Sequence, residues 1–168
     1  MKLSMYEASI PLFLQTLENL RSILQKGAAH AEAKKFDPNV LANSRLAPDM
    51  LPLTRQVQIA SDAAKSAAAR LSGTEPPKFE DTETTFPELI ARVDKTIDYL
   101  RSFTPAQFEG SEARTVSIPT PRVVYTFAGL QFLRHWALPN FFFHVTTAYN
   151  LLRHNGVELG KADFLGKV

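Results

Sequence analysis

Apolar residues recur along the chain at gaps of three and four in four separate segments, and that spacing predicts four amphipathic helices. In the first, Ile10, Phe13, Leu14, Leu17, Leu20 and Leu24 form one stripe, giving a helix over 4–26. Pro11 is tolerated near a helix start, where a missing N–H costs nothing. Gly27 stands where the helix could end, although AAHAEAKK behind it contains good helix formers that could prolong it. Asp37-Pro38 reads as an N-cap followed by proline at the first position of a short helical turn.

The second stripe, Leu53, Val57, Ala60, Ala64, Ala67 and Leu71, predicts a helix over 50–72. Its inward face is mostly alanine, so a neighbouring helix can approach closely. Gly73 suits the C-terminal cap, and Pro76 and Pro77 prevent continuation. The third stripe, Phe86, Ile90, Val93, Ile97 and Leu100, predicts 85–102, opened by a Thr85-Phe86-Pro87-Glu88 capping box. Thr104 and Gln107 repeat that device for a short turn. TVSIP and RVVYTF, rich in β-branched and aromatic residues, predict a small hairpin near 115–127. The last helix spans 128–154, kinked at Pro139 and closed by Gly156. The whole reads as a single domain over 1–168, an all-α, up-and-down four-helix bundle with a β-hairpin between helices 3 and 4.

Composition removes several functions. The chain has no cysteine, which excludes disulfides, thiolate catalysis and Cys-based metal sites. Lys and Arg number 19 against 17 Asp and Glu, and they are scattered apart from Lys34-Lys35. A net charge of +2 makes no basic stripe, so nucleic acid is not an expected partner. No apolar run approaches the ~20 residues that span a bilayer. The first twenty residues are interrupted by Glu7, Gln15, Glu18 and Asn19, unlike a signal peptide. A cytoplasmic protein without membrane contact is expected.

Candidate chemistry concentrates in LRHWALPNFFFHVTTAYNLLRHNG, residues 133–156. Asn140 and His144 lie one helical turn apart on one face. His135 is nine residues before His144, on the opposite side of a straight helix, so only the Pro139 kink could unite them. His154 sits at the helix C-terminus, where a protonated imidazole suits the dipole. His30 falls in a polar segment and is expected on the surface. The simplest reading of His144 is a buried histidine holding one hydrogen bond among phenylalanines. There is no HExxH, P-loop, G-x-S-x-G or dinucleotide fingerprint. His30-Ala31-Glu32 mimics the start of a zinc deaminase signature, but the downstream cysteines are missing.

The segments MYEASIPLFLQTLENLRSIL, RLAPDMLPLTRQVQIASDAAKSAAARLSG, PPKFEDTETTF and LPNFFFHVTTAYNLLRHNGVELGKADFLG cover most of the chain. Together they resemble the DinB/YfiT-like superfamily of four-helix bundles, in a branch known as a domain of unknown function. The resemblance implies a divalent metal held by one histidine on the second helix and an H-x-x-x-H pair on the fourth, in some members serving thiol-dependent transfer or isomerisation. His144 matches the second histidine of that pair. The first falls on Asn140, and the second helix offers Gln56 and Gln58 instead. Amides are poor ligands for zinc or nickel beside imidazole, so no cofactor or tightly bound metal is expected, His144 being the one weak candidate ligand.

Three functional readings follow. One is a small-molecule site, with His144 as general acid or base and Gln56, Gln58, Asn140, His135 and Trp136 binding the substrate. The Pro139 kink and the alanines opposite it predict a cavity bordered by Gln56 or Gln58, Asn140 and His144, with Trp136 or Phe143 as its apolar wall. Another is a non-catalytic binding or interaction module, a homodimer that uses apolar helix faces. The third is a metal-dependent transferase or isomerase, as the resemblance implies.

Overall fold

The structure is a computed structural model that describes residues 3–166. Four principal helices form the bundle: α1 (Ile10–Lys34), α3 (Leu53–Ser72), α4 (Phe86–Arg101) and α6 (Leu138–His154). Three short helices accompany them: α2 (Asn39–Ala42), α5 (Gly129–Phe132) and α7 (Lys161–Leu165). Strands β1 (Thr115–Pro119) and β2 (Val124–Ala128) pair antiparallel, Thr115 opposite Ala128 and Pro119 opposite Val124. No helix among the described residues is long and apolar enough to cross a membrane.

The predicted stripes become the core. Ile10, Phe13, Leu17, Leu20 and Leu24 of α1 are sealed from solvent, as are Leu53, Val57, Ala60, Ala64, Ala67 and Leu71 of α3. Around the bundle the neighbours run α1, α4, α3, α6, with α3 packing most extensively on α6. The alanine face of α3 permits that close approach. Phe13 and Phe141 meet edge to face at 4.9 Å in the centre. Thr85 and Glu88 form the predicted capping box, and Gly73 caps α3 at φ 80°, a conformation that penalises any Cβ.

Three boundaries differ from the sequence expectation. The first helix begins at Ile10 rather than near residue 4: the backbone leaves helical geometry at Ser9 (φ −131°), and Pro11, which has no N–H for the carbonyl four residues earlier, sits in the first turn that follows. Ser4 and Glu7 instead close a separate turn by reciprocal hydrogen bonds of 3.0 and 3.1 Å. The same helix runs on through Gly27 to Lys34. Gly27 is buried there, and a Cβ on it would lie 3.0 Å from the Phe86 ring and 3.1 Å from Leu152, so it serves close packing rather than termination. α7 is also new: it docks on α1 through Lys26–Asp163 at 2.5 Å and Asn19 Nδ2 donating to the Phe164 carbonyl at 3.0 Å.

The final helix is interrupted as expected, but by a π turn. Between α5 and α6, Leu133–Ala137 are π-helical, and the Leu138 N–H donates to the Leu133 carbonyl five residues back. Pro139 lacks the N–H that an unbroken α-ladder needs, and the wider turn absorbs its ring.

Candidate functional site

α3 and the final helix run antiparallel, since Gln56 meets His144 while Ser66 and Arg70 lie beside the earlier residues Asn140 and Phe132. Two polar features lie along this seam. At one end His144 Nδ1 and Gln56 Oε1 are 2.7 Å apart, with both residues buried. The Gln56 amide nitrogen donates to the Leu51 carbonyl at 3.0 Å, so its oxygen faces the imidazole and accepts from Nδ1–H. Burial lowers the His144 pKa below its ordinary value, which favours this neutral tautomer. The chain His144–Gln56–Leu51 ties α6 to α3 and to the link before it.

One turn away is a cavity of about 220 Å³ between α3 and the π turn. Ile59, Asp62, Ala63, Ser66 and Arg70 line it from α3, and Phe132, Trp136, Ala137 and Asn140 from the final helix, with Ile118 of β1 beside them. The space holds about seven waters, enough for a small metabolite. The hairpin braces one wall: Tyr125 and Phe127 pack on Trp136 with ring centroids 5.1 and 5.8 Å away.

The cavity therefore forms at the kink but not with the predicted border. It contains Asn140 and Trp136, while Gln56 and His144 bond to each other outside its lining. Gln58 is two residues from Gln56, some 200° round the helix, and turns away. It accepts from Arg55 at 2.7 Å and donates to the Glu83 carboxylate at 3.0 Å. His135 is exposed, because even with the π turn it stays on the outer side. Phe143 is 56% exposed and walls nothing. His30 is half-buried rather than on the open surface, edge-on to Phe36 at 6.0 Å. His154 is exposed at the end of α6.

The donor set does not fit the metal that the superfamily resemblance implies. His144 is the single imidazole of the set, and the other two positions offer neutral amides, weak donors for zinc or nickel. Among the described residues no three His, Cys, Asp or Glu side chains are grouped so as to hold a metal ion.

Sequence reasoning missed Asp62, Ser66 and Arg70. Their four-residue spacing puts them on one face of α3, which in sequence looks like an ordinary solvated stripe. It also missed Arg92, whose side chain is 1% exposed and which bridges Asp62 and Asp81 at 3.0 Å and Glu83 at 3.1 Å. Lys65, also buried, pairs with Asp62 at 2.7 Å, and Arg55 with Asp81 at 2.5 Å. This network fastens the 74–84 loop across α3 and α4. Phe79 of that loop carries the Lys65 and Lys95 ammonium groups 4.2 and 4.1 Å from its ring centroid.

Comparison with known proteins agrees with this architecture. A family described as a domain of unknown function, DUF1993, matches residues 5–165. A crystal structure of a DinB family member from Shewanella denitrificans is similar, at 46% identity and a TM-score of 0.89, over 97% of this chain and 92% of that one. No curated protein gives a significant match.

Proposed function

The chain belongs to the DUF1993 family of DinB-like bundles, and we propose that it binds a small organic molecule in the cavity between α3 and the π turn. The carrying observation is the lining itself. Apolar walls from Ile59, Phe132 and Trp136 face a few convergent polar groups, Asp62, Ser66, Arg70 and Asn140. That mixture characterises ligand sites, where apolar contact supplies affinity and placed polar groups supply orientation. The π turn supports the reading, since such bulges recur at functional positions. Asn140, with one amide donor pair and one acceptor, is the orienting group; Trp136 is the platform. His144 holds the adjoining seam through Gln56, and the metal-dependent chemistry of the wider superfamily has no fitting ligand set to rest on.

The test is a thermal-shift and native mass spectrometry screen of the full chain against metabolite-sized acids, amides and amines. Ser66→Leu, which fills the cavity from a part-buried position, is the comparison. At least one compound should stabilise the wild type and lose that effect in Ser66→Leu. Binding that is equally strong to the filled variant, or no binding across the panel, refutes the reading.

A further inference from the structure

Resting on the cavity reading above, we propose that its ligand is a small carboxylic acid with an apolar, preferably aromatic, body. Arg70 receives the carboxylate and Trp136 the ring. Charge is balanced where α3 meets α4 and the 74–84 loop. Arg55, Lys65 and Arg92 are matched by Asp62, Asp81 and Glu83 through contacts of 2.5–3.1 Å. Asp62 borders the cavity, but its Oδ1 is already held by Lys65 at 2.7 Å and Arg92 at 3.0 Å. It is therefore not free to neutralise a neighbour or to repel an anion.

Arg70 is the cation of α3 left without such a match. It is part-buried on the same face as Asp62 and Ser66, and makes no ion pair within 4.0 Å among the described residues. Burial lowers its pKa, and exposed Glu75 opposes that only through space. A part-buried guanidinium with no carboxylate in direct contact is incompletely compensated, and its fork of N–H donors matches a carboxylate in bidentate geometry. A phosphate dianion would need more positive charge than this one group provides.

The remaining lining sets the rest of the ligand. Ile59, Ile118, Phe132 and Trp136 offer an apolar slot, and about 220 Å³ limits the body to roughly the size of one aromatic ring. Arg70 also borders a second concavity of about 610 Å³ shared with Arg114 and Glu75. There the Glu75 carboxylate opposes an anion and no aromatic residue lines the wall, while Arg114 turns one N–H to the Leu71 carbonyl. Only the Trp136 side pairs Arg70 with an aromatic wall, as an acid with an aromatic body requires.

Trp136 is the sole tryptophan, so its fluorescence reports this cavity directly. The full chain is titrated with benzoate, benzamide and phenyl phosphate at constant ionic strength, as wild type, Arg70→Gln and Ser66→Leu. Benzoate should bind about tenfold more tightly than benzamide, the worth of one charge-assisted contact. That preference should vanish in Arg70→Gln, and all responses should vanish in Ser66→Leu. Equal binding of benzoate and benzamide, lost on filling the cavity, would overturn the role of Arg70 and leave the cavity reading standing. So would a benzoate preference that survives Arg70→Gln. Tighter binding of phenyl phosphate would replace carboxylate by phosphate. No response from any of the three probes would overturn this proposal, and the cavity reading would then fall only if the wider metabolite panel also failed to bind.

Discussion

Gly129 opens α5 directly after the hairpin, and it is where the hairpin is seated on the bundle. A Cβ there would lie 1.9 Å from the Ser111 carbonyl oxygen and 3.3 Å from Leu71. An ordinary carbon–oxygen contact is ~3.3 Å, so the Ser111 backbone would have to retreat by about 1.4 Å. That backbone is also held, because the Leu130 N–H donates to the adjacent Glu112 carbonyl at 3.0 Å. Overpacking costs about 1–3 kcal/mol, and a backbone obstacle belongs at the top of that range. The helix-propensity gain is below the ~1 kcal/mol of a helix interior, since Gly129 is the first residue. Gly129→Ala should therefore destabilise by about 2–3 kcal/mol, lowering the melting temperature by about 4–12 °C for a chain of this size. Gly27→Ala is the comparison. Its new methyl meets only side-chain ends, Phe86 at 3.0 Å and Leu152 at 3.1 Å, inside α1 where the propensity gain is full. It should fall within about 1 kcal/mol of wild type. Melts followed by circular dichroism give the stabilities, and Trp136 emission should shift in Gly129→Ala alone, because β2 packs on that ring. If the two variants melt alike, or Gly129→Ala melts within about 1 °C of wild type, the steric argument is wrong.

Arg92→Ala should cost about 3 kcal/mol, the lower end for breaking a buried ion pair because Asp62 and Asp81 retain 38% and 35% exposure. It should also open the 74–84 loop to limited proteolysis, and an unchanged digestion pattern would count against the network. Thr85→Ala should cost about 1 kcal/mol by loss of the cap, and a change near zero by denaturant titration would contradict it. Glu88 carries a folded pKa lowered to about 2 by the Thr84 and Thr85 backbone N–H groups. Its contribution is thus complete above its ordinary 4.5 and lost as pH falls toward 2, so Glu88→Gln should flatten the acid limb of the stability profile across that window. An identical acid limb would show that the box does not titrate. Purified protein should hold no stoichiometric zinc, nickel or iron, and one equivalent by elemental analysis, lost in His144→Ala, would reverse the donor-set argument.

Signals confined to one segment were readable in advance. The stripes on α1, α3, α4 and α6, the Thr85–Glu88 box and the Gly73 cap each involve residues within a few turns of one another, and local backbone physics decides them. That Asn140 and Trp136 lie beside the disturbed turn was also readable, because a proline in a helix announces a disturbance at its own position. What faces that disturbance was not readable. The Gln56–His144 bond joins residues 88 apart, and choosing Gln56 over Gln58 depends on the rotation of α3 about its axis. The one-residue widening at Leu133–Ala137 changes that register again, and no periodicity encodes it. Arg92 lies beside the apolar stripe of its helix, and nothing in sequence marks it as buried until the loop's Asp81 and Glu83 fold over it. Asp62, Ser66 and Arg70 look solvated until the final helix and hairpin close the space beside them. The sequence by itself determined which segments become helices and where they stop, since those free energies are local. The tertiary structure alone decided which polar groups share a cavity and which charge is left unpaired, because those follow from how whole helices are turned and set against one another.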